Sequence, residues 1–71
     1  MKITHLRSMG ADNTIHYREE LHSLVPKIEK AIELVELYRQ VGDYNLLAMW
    51  IDELNNLNQR ATELLRLLGE I

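Results

Sequence analysis

Few side chains in this 71-residue sequence have the types and spacing that chemistry requires. His16, Glu19 and His22 stand at i, i+3 and i+6, so one helical face would offer two imidazoles and a carboxylate to a metal. Helical metal sites more often pair ligands one turn apart, and no fourth ligand is evident. Solvated histidines near a helix start are the simpler interpretation, so we predict neither a metal nor a cofactor.

Groups with hydrolytic potential are scattered along the chain. They are His5, Ser8, Asp12, Thr62 and Glu63. Nucleophilic catalysis needs a held base, an orienting partner and an oxyanion site in a walled pocket, which a thin helical protein does not supply. Bundle enzymes of the chorismate mutase type surround a dianion with several cations, whereas only Arg39 and Arg60 flank the apolar stripes here. We therefore predict that the protein is not an enzyme.

The amino-acid composition and the distribution of charge exclude further structural and functional classes. Cysteine is absent, so disulfides and thiolate metal sites are excluded. The sequence has no apolar run suited to a signal peptide or a membrane span, and we predict a cytoplasmic protein. Residues 1–18 carry a net charge of +2 and residues 19–71 carry −5. An acidic body disfavours nucleic acid and favours a protein partner with a basic surface.

The elements that must position any site are two helices. The second half of the chain carries apolar residues at alternating three- and four-residue spacing, a pattern typical of a covered helix. This stripe consists of Leu47, Trp50, Leu54, Leu57, Ala61, Leu64, Leu68 and Ile71. It predicts a helix from about residue 44 to residue 68, which Gly69 ends.

A first helix is predicted from about residue 14 to residue 41. Its apolar positions are Leu21, Leu24, Val25, Ile28, Ile32, Val35 and Tyr38. Pro26 removes a backbone donor and predicts a kink near His22 or a division into two segments. Residues 1–13, here called the N-terminal arm, combine basic and turn-forming residues without a period. We expect a flexible or loosely docked basic arm, or a short helix, before the hairpin of residues 14–71.

Gly42 ends the first helix, and Asp43 or Asn45 caps the second, so the turn is predicted at residues 42–45. A short connection makes the helices antiparallel. Leu34, Leu37, Val41, Leu46, Ile51, Leu65 and Leu67 add apolar surface beside the two stripes. Two helices alone would leave these side chains in water. The predicted fold is therefore an all-α antiparallel helical hairpin that completes a four-helix-type bundle by homo-oligomerisation, most simply as a dimer.

The expected oligomer interface is the stripe from Leu47 to Leu68 together with Asn58. A buried amide at such a position often fixes register and oligomer state. Candidate partner contacts are basic and aromatic residues at the two ends of the hairpin, because such residues commonly anchor interfaces. They are Arg7, His16, Tyr17, Arg18, Tyr44 and Trp50. Trp50 also occupies a stripe position and is expected to pack in the core.

These features predict a small homo-oligomeric protein that binds another protein and inhibits or scaffolds it. Plasmid-type hairpin dimers and small phage antirepressors share this size and pattern, which favours a bacterial or phage regulator. The alternative is an oligomeric sponge for an anionic small molecule or signalling nucleotide. In that case Arg7, His16, Tyr17 and Arg18 would surround a pocket between subunits.

Overall fold

The computed structural model of the chain is a two-helix hairpin. It describes the backbone of residues 2–70 and the side chains of residues 13–70. Helix α1 spans Lys2–Val41 and helix α2 spans Tyr44–Leu67. The helices pack along each other in a rod with extents of 60 × 18 × 15 Å. The all-α hairpin predicted from the sequence is therefore confirmed.

The first helix is longer than the sequence pattern indicated. It begins at Lys2 instead of about residue 14, so the backbone of the N-terminal arm after Met1 is helical. Strong helix formers, among them Lys2, Leu6 and Ala11, outnumber Ser8 and Gly10 there. With 40 residues against 24 in α2, α1 is the longer partner of the hairpin. The side chains of residues 2–12, including Arg7, lie outside the described residues, as does Ile71.

Pro26 lies inside α1 and does not divide it into two helical segments. Its missing N–H leaves the carbonyl of His22 without the usual helical donor. One turn earlier, the Ser23 hydroxyl donates a 2.7 Å hydrogen bond to the carbonyl of Glu20. Proline in a helix interior costs about 3 kcal/mol. The packing of α1 against α2 on both sides of residue 26 offsets this cost.

The turn between the helices is shorter than predicted and comprises Gly42 and Asp43. Gly42 adopts φ 85°, a left-handed conformation in which a Cβ atom would be strained. The amides of Gly42 and Asp43 both donate to the carbonyl of Tyr38, at 2.9 and 3.1 Å. The Asp43 carboxylate accepts from the amide of Leu46 at 3.2 Å and thereby caps α2. The residue predicted to end α1, Gly42, and the residue that caps α2, Asp43, are thus adjacent in the chain.

The core is small. Among the described residues, only Leu24, Ala31 and Leu64 are buried. Leu64 has no exposed surface and is the largest fully buried side chain. Ala31 is also fully buried, whereas its neighbour Ile32, which the spacing had assigned to the covered stripe, is 48% exposed. Val25 and Ile32 each directly follow a buried residue, so helical geometry turns them about 100° away from the contact.

Candidate protein-interaction surfaces

One side of the hairpin is apolar over residues 21–32 of α1 and residues 47–65 of α2. In two antiparallel right-handed helices, the residue directly after a buried one turns toward the same side of the pair. Val25, Ile32 and Leu65 directly follow the three buried residues. Helical spacing extends this surface, here called the apolar face, to eight residues: Leu21, Val25, Ile28, Ile32, Leu47, Ile51, Leu54 and Leu65. All eight are half-buried or exposed in the single chain.

The opposite side of the hairpin is polar next to the three buried residues. Ser23, Lys30 and Glu63 directly precede the three buried residues and occupy this side. Arg60 also lies there and joins the helices through both carboxylate oxygens of Glu20, with Nε at 2.6 Å and Nη2 at 2.8 Å. Arg60 pairs with Glu63 within α2 as well. The two broad sides of the hairpin therefore differ in polarity around the buried residues, away from the turn.

Arg60 and Glu20 form the electrostatic centre of this polar side. The hydrogen bond from Arg60 lowers the pKa of the Glu20 carboxyl, and the Arg60 and Lys27 charges act in the same direction against desolvation. The hydrogen bonds from Arg60 to Glu20 and Glu63 in turn raise the pKa of the guanidinium. Both side chains keep about two fifths of their surface exposed. The pair therefore fixes how the helices align, and solvent screens its contribution to stability.

Asn58 interrupts the apolar face. It lies in the α2 row that runs Leu47, Ile51, Leu54, Asn58, Ala61 and Leu65, with alternating spacings of four and three residues. Every other member of this row is apolar. Asn58 is exposed in the single chain. A second copy packed on the apolar face would therefore contact this amide, which was predicted to set the register.

The residues predicted for the oligomer interface divide into two groups. Leu47, Leu54, Asn58 and Ala61 line the apolar face or its edge. Leu64 is fully buried against α1, so it belongs to the core of the single chain. Trp50, Leu57 and Leu68 are half-buried on the α2 surface that is turned toward α1. Spacing alone did not separate these groups, because a stripe of this width covers both surfaces.

Four exposed apolar or aromatic side chains lie near the turn end of the hairpin. Leu37, Val41, Tyr44 and Met49, here called the turn patch, are between 47% and 73% exposed. Trp50 is half-buried beside Met49 and shares a shallow groove with Asp52, Glu53 and Asn56. Sequence reasoning proposed Tyr44 and Trp50 but missed Met49. Leu37 and Val41 lie one turn apart and outside the main stripe. This spacing is the sequence feature that indicates the patch.

The other predicted partner contacts lie at the far end of the hairpin. His16 is exposed, with Nδ1 3.8 Å from a carboxylate oxygen of Glu19. Arg18 pairs at 3.2 Å with Glu70, just beyond the end of α2. Tyr17 is half-buried. These side chains do not converge on the turn patch, so the proposed contact residues fall at two separate ends.

The described part of the chain contains no cluster of three or more side chains suited to a metal ion. Its helices include no segment long and apolar enough to cross a membrane. No protein-family model, curated protein or solved structure matches the chain. The surfaces described above are therefore the features of the molecule that bear on its function.

Proposed function

We propose that this chain is a homo-oligomeric helical protein that binds another protein through the turn patch and thereby inhibits or scaffolds it. The observation that carries the proposal is the exposure of four large side chains at one end of a thin hairpin. Val41 is 67% exposed and Tyr44 is 73% exposed. Exposed apolar and aromatic clusters of this kind are typical of interaction sites.

The charge around the turn patch indicates the chemistry of the partner. Residues 33–55 contain five acidic side chains and one basic side chain, which gives a net charge of −4. Glu33 stands one helical turn before Leu37, and Glu53 stands one turn after Met49, so carboxylates border the patch. Arg39 is already paired with Glu36 at 2.9 Å. This surface suits a partner that combines lysine or arginine with an apolar anchor.

The mechanism in this proposal is occlusion. The turn patch lies at the end of the hairpin where α1 and α2 are joined, so the binding surface is presented on paired helix ends. When the turn patch covers a surface of the partner, the partner cannot bind its own target through that surface. The degree of inhibition then follows the amount of hairpin bound. Regulation by a stoichiometric inhibitor or scaffold of bacterial or phage type fits this arrangement.

Native mass spectrometry of the protein, purified gently from its host, tests the proposal. We expect an oligomer that carries a protein with a basic surface at fixed stoichiometry. The double variant Val41→Ser with Tyr44→Ser should release that protein. The matched control is Ile15→Ser, because Ile15 is 57% exposed at the far end of the hairpin.

Two results would contradict the proposal. Retention of the partner by the double variant would exclude the turn patch as its binding site. A stoichiometric small anion in place of a protein would instead favour the sponge interpretation.

A further inference from the structure

We infer that the apolar face is covered by a second copy of the same chain, packed face to face with its turn at the opposite end. The resulting four-helix bundle would have its two-fold axis across the hairpins, close to Asn58. This inference deepens the homo-oligomer of the proposed function, but it does not depend on the protein partner.

The area of the apolar face is close to the minimum for a specific dimer interface. The row from Leu47 to Leu65 is about 27 Å long at 1.5 Å per residue, and the hairpin is 18 Å wide. The α1 row, from Leu21 to Ile32, is about 17 Å long. With half of the width for each helix, the footprint is on the order of 400 Å² per copy, or about 800 Å² for two, just below the lower limit of about 1,000 Å² for a specific interface. Side-chain relief adds to this area.

The polarity of the hairpin selects which side is covered. A second copy on the polar side would have to bury Lys30 and the ion pairs of Arg60, at a high cost in desolvation. On the apolar face it would bury Val25, Ile32 and Ile51, which are all between 42% and 48% exposed. Burial of apolar surface contributes about 25 cal/mol per Å². The second copy therefore belongs on the apolar face.

Asn58 fixes where the two-fold axis passes. An amide within an apolar interface is costly unless a partner satisfies it. In a symmetric dimer, Asn58 can pair with Asn58 of the second copy only if both lie near the axis. The apolar row of α2, from Leu47 to Leu65, is centred at residue 56, within one turn of Asn58. An axis at Asn58 therefore overlaps the two α2 rows over residues 51–65, which is about 21 Å of their 27 Å.

The distribution of charge selects the orientation. The turn half of the hairpin, residues 33–55, has a net charge of −4. The terminal half, residues 13–32 and 56–70, contains five basic and five acidic residues and is neutral. Packing with the turns at the same end would place two charges of −4 side by side. Packing with opposite ends places each acidic half over a neutral one, which avoids this repulsion.

A pair of matched variants tests which face is covered. Ile32 is 48% exposed on the apolar face, and Leu37 is 47% exposed on the other side of the same helix. Light scattering after size exclusion should give a dimer for the wild type and for Leu37→Glu, and a monomer for Ile32→Glu. A monomeric wild type, or a dimeric Ile32→Glu variant, would overturn the inference. Circular dichroism shows whether each variant remains helical.

A spin label at the turn tests the orientation. The chain has no cysteine, so Tyr44→Cys gives one labelling site per copy at an exposed position. Tyr44 and Asn58 are 14 residues apart on α2, so opposite-end packing places the two labels about 40 Å apart. Same-end packing would bring them within about 25 Å, since packed helices lie 8–10 Å apart.

Pulsed electron resonance distinguishes these distances in the intact dimer. A distance of about 40 Å supports the inference, and a distance of 25 Å or less overturns the orientation. The protein partner enters neither experiment. Loss of partner binding in the Leu37→Glu dimer would therefore concern the turn patch alone, and failure of the two proposals would be distinguishable.

Discussion

Arg60 connects the two helices on the polar side. It is held by Glu20 of α1 and by Glu63 of α2. A bidentate guanidinium contact is directional, so it specifies alignment between helices better than an isolated lysine would. The sequence offered Arg60 as a cation near the apolar stripe. Its partner Glu20 is 40 residues away in the chain, and no local pattern indicated that pairing.

The Glu20→Gln substitution is expected to remove a pH-dependent part of the stability. The pKa of Glu20 is lowered in the folded protein from an ordinary value of 4.5. Its contribution is therefore present above about pH 4.5 and is lost as the pH falls through the lowered folded pKa. The difference in Tm between wild type and variant should be present at neutral pH and shrink toward zero in acid.

Thermal melts across this pH range, followed by circular dichroism, measure the difference. Glu19→Gln is the matched control, because it removes the same charge from the adjacent, more exposed residue. A Tm difference for Glu20→Gln that stays constant into strong acid would show that the Arg60 contact does not stabilise the fold.

At the scale of the helices, the sequence predicted type and order well and bounds less well. Gly42 and Asp43 marked the turn because each supplies something local: a left-handed backbone and a capping carboxylate. The N-terminal bound and the effect of Pro26 were less predictable. The start of α1 and the effect of Pro26 depend on whether helix packing and helix propensity in the rest of α1 outweigh the local cost of turn-forming residues or proline. A short window of sequence does not reveal which of these free energies is larger.

Replacement of Pro26 by alanine is expected to stabilise the protein by about 1–3 kcal/mol, because it restores a helical donor to the carbonyl of His22 and removes a ring clash. Pro26 is exposed, so the substitution leaves no cavity. Urea unfolding at fixed protein concentration measures the effect. The control Lys27→Ala changes the adjacent exposed residue and should alter stability little. A destabilised Pro26→Ala variant would contradict this account of α1.

At the scale of the whole molecule, the sequence predicted an excess of apolar surface but not its arrangement. The heptad stripe was expected to face a second copy, whereas the structure uses Leu64 and its half-buried neighbours within the single chain. The apolar face is instead formed around the residues that directly follow the buried ones in each helix. That offset follows from which residues face the other helix, namely Leu24 and Ala31 in α1 and Leu64 in α2. Spacing of apolar residues along one helix cannot reveal it.

A hairpin with three buried residues among those described has a core too small to be strongly stable alone, so folding and association should be coupled. The Tm should then rise with protein concentration, by about 3–5 °C for each tenfold increase, from the size of a dimer of this length. Melts at several concentrations measure this slope. Ile32→Glu should lower the Tm and abolish the slope, whereas Leu37→Glu should preserve it. A wild-type Tm that is independent of concentration would mean that the single hairpin is stable with its apolar face in water, and burial between copies would then not be what stabilises this fold.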